Sequence, residues 1–170
     1  RSVISQFEQY VKLNKKVPGE VLQALAGFSR RPATGDWVLV HDMARPCVRP
    51  ERIRSMIDEL ADDEVGGLLA VPLVDTLKRA DGAQRVCETL DRSELWRAQT
   101  PQVFRFGVLE RALRAARADG VTITDEAMAV ERLGLAPRLL AGSADNIKVT
   151  VAEDMELAQY YLARRCGSRA

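Results

Sequence analysis

Three observations in the sequence predict an α/β fold, with a mostly parallel sheet from which a β-hairpin projects. The apolar runs at 37–40 and 68–74 are continuous rather than alternating, which is typical of strands buried on both faces. A segment with helical spacing begins at Pro50, between the two runs, so we expect a right-handed crossover and a parallel pair. Helices and strands alternate through most of the remaining chain, which is the pattern of the α/β class.

The elements of the first half are predicted from helical spacing, apolar runs and prolines. Residues Gly19–Phe28 carry apolar side chains at helical spacing, which indicates a helix. Strand Trp37–Val40 must end before Pro46, because proline has no N–H to give to a ladder, and we expect this strand to be central. Pro50 fits the first position of a helix. The apolar face of that helix consists of Ile53, Met56, Ile57 and Leu60.

Two half-polar segments, 75–79 and 84–89, break the alternation of helices and strands. The Asp81-Gly82 pair between them is a strong hairpin turn signal. We therefore predict a β-hairpin over 75–89, within a single domain that comprises residues 1–170. Its mixed polarity indicates that something other than its own core covers it, and a second copy of the chain is the simplest cover. The hairpin is accordingly predicted to be the dimerisation arm of a homodimer.

An arginine-rich amphipathic helix is predicted over Phe106–Ala118, and Gly120 ends it. Thr124 is the predicted N-cap of the following helix. Asp125 and Glu126 then fall in the first turn, where negative charge is favourable.

The last part of the chain is predicted to contain two short strands, at 137–140 and 147–149, and a final helix. Thr150 and Glu153 have the spacing of a capping box, in which each side chain bonds the backbone of the other. The final helix is therefore expected to begin there and to run to about Arg164.

Composition excludes several classes of protein. A formal net charge of +1 gives no case for a nucleic-acid-binding face. No segment approaches the roughly 20 apolar residues that a membrane span needs, and the first residues are too polar for a signal peptide. Three widely spaced cysteines form neither a disulfide framework nor a zinc motif, so we expect the cytoplasm. The single histidine, His41, excludes a histidine-rich metal site.

Five polar clusters are predicted to lie where strands or helices end. They are Asp42 with Arg45, Thr76 with Lys78, Arg92 with Thr100, Thr124 with Asp125 and Glu126, and Asp145 with Lys148. In open α/β sheets, ligands bind beyond the carboxyl ends of the strands. Mg²⁺ takes one or two carboxylates together with phosphate oxygens, so Asp42 with Asp145 would suffice. Arg45 and Lys148 could stabilise charge on a phosphoryl group under attack.

Each residue also has a structural interpretation, which the sequence leaves open. Asp42 fits a turn or helix cap, Lys148 an ordinary surface lysine and Thr124 a simple helix start. His41 is better interpreted as a supporting or core residue than as a catalyst.

Five motifs, in this order, strongly resemble one enzyme family: VLVHDMARP, VPLVDTLKR, TLDRSELWRAQTPQVF, TITDEA and DNIKVT. Together they resemble 2-C-methyl-D-erythritol 4-phosphate cytidylyltransferases of the non-mevalonate isoprenoid pathway, over about Asp36 to Tyr161. The resemblance implies a Rossmann-like nucleotidyltransferase sheet. It also implies that CTP and methylerythritol phosphate are joined, with Mg²⁺ as cofactor and pyrophosphate as the second product. An arm exchanged between two subunits would complete each active site.

The resemblance further implies a role for each matching residue. Asp42 and Asp145 would lie beside the metal, and Lys148 would be the catalytic lysine, acting with Asp42 and contacting the nucleotide. Met43 and Ala44 would lie near the nucleotide. The implied substrate ligands are Asp42, Arg45, Thr76, Arg92, Thr100 and Thr124, of which Thr76 and Arg92 would reach across the dimer.

The first 35 residues depart from the family pattern. The family has a Gly-rich phosphate loop of the type Ala-Ala-Gly-x-Gly-x-Arg, and this sequence has none. Phe7-Glu8 stands where a Pro-Lys pair is expected, and Glu20 replaces a serine that helps to bind the base. The sequence is either part of a longer protein, the product of a true deletion, or divergent in this region. Of these, we expect the first.

Two other functions remain open on the sequence alone. The chain could be a catalytically inactive homologue that acts as a dimeric binding subunit. Alternatively, it could be a cytidylyltransferase for another polyol phosphate, such as ribitol 5-phosphate.

Overall fold

A computed structural model describes residues 32–167, so the helix predicted over 19–28 lies outside the described residues. Helices and strands alternate, which confirms the α/β class. None of the helices in the described range is long and apolar enough to cross a membrane. The elements are β1 (Trp37–Val40), α1 (Pro50–Glu59), β2 (Gly66–Pro72), β3 (Leu77–Ala80), β4 (Val86–Leu90), β5 (Trp96–Arg105), α2 (Phe106–Ala118), α3 (Glu126–Glu131), β6 (Arg138–Ala141) and α4 (Ala152–Gly167).

The main sheet is mixed, and the prediction of a mostly parallel sheet is wrong for the residues described. Its order is β1-β5-β2-β6, and β5 runs antiparallel to both of its neighbours. Only β2 and β6 form a parallel pair. Strands β1 and β2 do point the same way, as a crossover requires, but β5 lies between them. Within the described part, β1 is therefore an edge strand rather than a central strand.

Strand β5 is the element that the sequence analysis missed, because it is rich in polar residues and contains Pro101. Proline is normally confined to edge strands or bulges, since it cannot donate to a ladder. Here the register is irregular at that point: Leu68 pairs with Gln102, whereas Ala70 pairs with Ala98. Three residues of β5 therefore face a single residue of β2. This bulge explains how a central strand of the sheet accommodates a proline.

The sheet carries helices on both faces. Successive strand residues alternate between two apolar clusters, as the pleat requires: Phe104 packs in one and Val103 in the other. The first cluster contains the buried residues of α2 and α3, among them Leu109 and Val130. The second contains Met56 of α1. Helix α1 begins at Pro50 as predicted, with proline in its first turn.

The predicted hairpin is confirmed as the pair β3–β4, a two-stranded sheet separate from the main one. Asp81 shapes its turn, because one carboxylate oxygen accepts the backbone N–H groups of both Ala83 and Arg85. Most hairpin side chains are exposed, including Val86 at 63%.

Three local predictions in the second half need correction. Asp125, not Thr124, caps α3, since its carboxylate accepts the Met128 N–H. Residues 147–149 form no strand, and the N–H of Val149 instead bonds the carbonyl of Ala44. Helix α4 begins one residue later than expected, so the acid that reaches back to the start of the helix is Asp154 rather than Glu153.

Candidate active site

The candidate site lies at the rim of the sheet where β1, β2 and β6 end. These three strands point the same way, so their carboxyl ends meet at one rim. Because β5 runs against them, its first half lies at the same rim. The register pairs Val40 with Gln102 and thereby brings Thr100 beside the residues that follow β1.

Asp42 and Lys148 form an ion pair at this rim. The Lys148 Nζ lies 2.8 Å from Asp42 Oδ2, and the N–H of Ala44 donates to Oδ1 at 3.0 Å. The carboxylate is 13% exposed and the lysine side chain 49%. Partial burial acts to raise the pKa of Asp42, but the bonds from Lys148 and Ala44 outweigh it and lower that pKa. Asp42 therefore stays ionised at neutral pH, with a half-exposed ammonium group beside it.

Arg45 is fixed by backbone carbonyls. Its Nη1 donates to the Asn146 carbonyl at 2.7 Å, and its Nη2 lies 3.5 Å from the Ala98 carbonyl. Neither partner carries a charge. The guanidinium is thus oriented without being neutralised through these contacts, which suits the recognition of a phosphate.

Thr100 and His41 form a second network behind Asp42. The Thr100 hydroxyl accepts the N–H of Asp42 at 2.9 Å and lies 3.0 Å from His41 Nδ1. His41 Nε2 lies 3.1 Å from the carbonyl of Arg45. Burial lowers the pKa of His41, although the Arg45 carbonyl and the charge of Asp42 act to raise it. The imidazole is therefore neutral at pH 7, in agreement with the supporting role expected from the sequence.

Two buried amides hold the loop after β6 against β5, and the sequence analysis missed both. Gln99 Nε2 donates to the Ser143 carbonyl at 2.9 Å. Asn146 Nδ2 donates to the Thr100 carbonyl at 2.9 Å. Both amides stand next to predicted site residues in the AQTPQ and DNIK motifs. Their position in these motifs, beside Thr100 and Asp145, is the sequence signal that could have identified them as part of the site.

Asp145 is held in a separate cluster. Its Oδ2 accepts Arg49 Nη2 at 2.6 Å and Arg165 Nη2 at 2.9 Å, while Ser143 donates to Oδ1. Burial opposes its ionisation, but the bonds from Ser143, Arg49 and Arg165 lower the pKa of Asp145 to about 2. Through these bonds, the loop after β6, which carries Asp145, is connected to the start of α1 at Arg49 and to the last turns of α4 at Arg165. No local pattern in the sequence pairs Asp145 with these arginines.

The other predicted site residues lie apart from this network. Thr76 flanks the hairpin, and Arg92 there donates to the carbonyl of Val74. Thr124 precedes α3 and contacts the sulfur of Met128. Met43 is 57% exposed. The described contacts therefore bring together Asp42, Ala44, Arg45, Thr100 and Lys148, and do not connect Thr76, Arg92 or Thr124 to them.

The two carboxylates differ in how well they fit a divalent cation. Asp42 has one bond to each oxygen, and an ionised carboxylate oxygen has two lone-pair sites, so it can still bind a metal. Asp145 faces two guanidinium groups, whose charge opposes a cation at the same place. Residues 32–167 contain no group of three or more side chains positioned to form a metal site by themselves. A cation bound at Asp42 would take its remaining oxygen ligands from water or from a substrate.

The helix-covered sheet, whose strand ends carry an aspartate–lysine pair and a fixed arginine, has the α/β nucleotidyltransferase-like fold of the solved structures that it resembles. Comparison with known proteins gives the particular family. The model of the 2-C-methyl-D-erythritol 4-phosphate cytidylyltransferase family matches residues 19–164, and the chain belongs to that family.

Relatives and solved structures agree with this assignment. The chain is 52% identical over 147 residues to the Azoarcus enzyme of that name, covering 86% of this chain and 61% of the relative. It is 55% identical over 139 residues to the Pseudomonas savastanoi enzyme, covering 81% and 59%. The Francisella tularensis crystal structure has a TM-score of 0.77 at 35% identity, over 85% of this chain and 67% of that one. The chain thus spans about three fifths of the length of the curated relatives it matches.

Proposed function

We propose that the protein is a cytidylyltransferase that joins CTP and 2-C-methyl-D-erythritol 4-phosphate in isoprenoid biosynthesis. The observation that carries the proposal is the 2.8 Å Lys148–Asp42 pair, set beside Arg45 at the ends of β1 and β6. Membership of the family and the names of the close relatives support the choice of substrates. The free thiols of Cys47 and Cys87 are consistent with a cytoplasmic location.

The proposed reaction is an in-line phosphoryl substitution. An oxygen of the methylerythritol phosphate group forms a bond to the α-phosphorus of CTP, and the bond from that phosphorus to the β-phosphate oxygen breaks. Pyrophosphate leaves with the electron pair. Lys148 and Arg45 stabilise the negative charge that develops on the α-phosphate oxygens. Half of the Lys148 side chain is exposed, so its ammonium can contact a phosphate while Asp42 keeps it near the rim.

We propose Mg²⁺ as the cofactor and Asp42 as its protein ligand, with phosphate oxygens completing the coordination. Bound there, the ion would supply positive charge that offsets the charge of the phosphates. Asp145 is left out of this proposal because its carboxylate is already held by Arg49 and Arg165. Met43 and Ala44 would lie beside the nucleotide, as the resemblance implies.

We also propose a homodimer formed through the hairpin. An isolated two-stranded hairpin is marginally stable in water, and β3–β4 pairs with no other strand in the described part of the chain. Val86 on the hairpin and Trp96 at its base are exposed at 63% and 43%. A second subunit would cover these side chains. In such a dimer, Thr76 and Arg92 of one subunit would lie at the candidate site of the other. Thr124 remains a proposed substrate ligand on the α3 side.

The test is pyrophosphate release by the full-length protein with CTP, Mg²⁺ and methylerythritol phosphate, with the CDP-linked product identified by mass. Arg111→Gln, on the exposed face of α2, is the matched control for Lys148→Gln. We expect the control to retain wild-type turnover and Lys148→Gln to lose it.

Three results would contradict the proposal. Calorimetric binding of CTP without turnover would indicate the inactive homologue. A higher kcat/KM for ribitol 5-phosphate would change the substrate. Equal turnover of the Lys148→Gln and Arg111→Gln variants would show that Lys148 has no role in the reaction.

A further inference from the structure

The two ring nitrogens of His41 have different partners. One faces a backbone carbonyl, that of Arg45, at 3.1 Å from Nε2. The other faces the hydroxyl of Thr100, at 3.0 Å from Nδ1. The same hydroxyl oxygen accepts the Asp42 N–H at 2.9 Å. One imidazole thus connects both ends of the loop that carries Asp42, Ala44 and Arg45.

For a neutral imidazole, these contacts define which atoms of the network donate and which accept. A carbonyl only accepts, so Nε2 must carry the ring hydrogen, and in a neutral imidazole Nδ1 is then an acceptor. Thr100 therefore donates its hydroxyl hydrogen to Nδ1, and its oxygen is free to accept the N–H of Asp42. Thr100 is only 5% exposed, so this orientation is not in competition with water.

We propose that His41 and Thr100 are positioning residues, which act on the substrates through the Asp42–Arg45 loop and not by direct contact. Thr100 sets the backbone from which the Asp42 carboxylate projects, and His41 fixes Thr100 and the Arg45 carbonyl together. This inference rests on the proposed function and alters it in one respect. The resemblance implies Thr100 as a substrate ligand, whereas the described contacts commit its hydrogen and one lone pair within the protein.

A positioning role predicts a particular division between kcat and KM. Thr100→Val keeps the shape of the side chain and removes the hydroxyl, so the Asp42 N–H loses its acceptor. We expect kcat to fall about tenfold or more, the scale of one buried hydrogen bond, while KM for the polyol phosphate changes less than about threefold. Thr100→Ser retains the hydroxyl and is expected to restore kcat to within about threefold of wild type.

The partnership of the two residues is tested by a double-mutant cycle. His41→Gln places an amide near the Nε2 position and can still donate to the Arg45 carbonyl, but it removes the acceptor for Thr100. If both residues act through one bond, the double variant with Thr100→Val will be no slower than the slower single variant. Arg111→Gln on α2 serves as the control for unrelated substitutions, and thermal melting checks that each variant folds.

A readout without substrates is available because His41 is the only histidine in the chain. Nitrogen-15 NMR of histidine-labelled protein at pH 7.5 should show one imidazole, protonated on Nε2 and hydrogen-bonded at Nδ1. In Thr100→Val, the Nδ1 signal should shift while the Nε2–H tautomer persists.

The proposal is overturned by an Nδ1–H tautomer, by fully additive effects in the cycle, or by a KM increase without a fall in kcat. The last result would make Thr100 a direct ligand of the substrate. Absence of turnover in the full-length wild-type protein would contradict the proposed function instead, and NMR of the 170-residue chain would still decide the bonding of His41.

Discussion

The cluster around Asp145 allows a prediction of stability whose size and pH dependence follow from its contacts. Asp145→Asn keeps the shape of the side chain but removes the charge that holds Arg49 and Arg165. A fall in pKa from 3.8 to about 2 corresponds to at most about 2.4 kcal/mol, at about 1.36 kcal/mol per pH unit. Solvent screening reduces this value, because the Arg49 side chain is 52% exposed. We therefore expect the variant to lose about 1 kcal/mol at pH 7.

The same cluster predicts how the loss depends on pH. The pKa of Asp145 is lower in the folded state than in the unfolded state, so its contribution is complete above about pH 4. As the pH falls toward about 2, the wild-type carboxyl takes up a proton in the folded state too. The difference between wild type and Asp145→Asn should therefore shrink across that interval.

Urea unfolding followed by circular dichroism, at pH values from 7 down to the lowest at which the wild type folds, measures this difference. Asp62→Asn, at an exposed position in the loop after α1, is the control and should match the wild type throughout. A difference that stays constant down to pH 3, or its absence at pH 7, would refute the role assigned to the Asp145 cluster.

Three further predictions address the site and the arm. Lys148→Gln should lower kcat at least about a hundredfold and reduce stability by less than about 1 kcal/mol, since the lysine side chain is half exposed. A larger loss of stability on urea unfolding would make the role of Lys148 structural. Gly142→Ala should destabilise by about 1–3 kcal/mol because its Cβ would lie 2.3 Å from Gln99 Oε1, whereas Gly35→Ala, with no atom within 4 Å, should be neutral by thermal melting. Val86→Glu should shift sedimentation equilibrium toward monomer, and a wild type that is already monomeric would contradict the arm.

The elements with strong local signals were predicted well. Helix α2 matches its predicted bounds, and the hairpin forms around Asp81 as its turn signal indicates. Strand β5 was missed because Pro101 contradicts the local pattern of a strand, and only the bulge against β2 removes the conflict. The sheet was consequently predicted as mostly parallel. The pairing of β5 with β1 and β2 outweighed its local sequence preference, and hydrophobic periodicity does not reveal which strands pair.

The site was predictable as a set of residue types but not as a set of bonds. The sequence placed Asp42 and Lys148 near each other through the strand-end rule, and the structure joins them. It also grouped Asp145 with Asp42 as carboxylates, whereas the arginine that pairs with Asp145 from α4 lies 20 residues further along. The start of α3 could not be predicted from the sequence either, because Thr124 and Asp125 are both good N-caps. The bond that Asp125 accepts from Gln102 favours Asp125.

The loops that follow β1 and β6 share three bonds, and this has a consequence for protein engineering. The Val149 N–H bonds the Ala44 carbonyl at 2.7 Å, in addition to the Arg45–Asn146 bond and the Lys148–Asp42 pair. Two of these bonds end on backbone carbonyls, which any related scaffold supplies, whereas the Lys148–Asp42 pair needs a particular side chain on each loop. A chimaera that takes the two loops from different parents is therefore expected to keep them docked as long as Asp42, Arg45 and Lys148 are all retained.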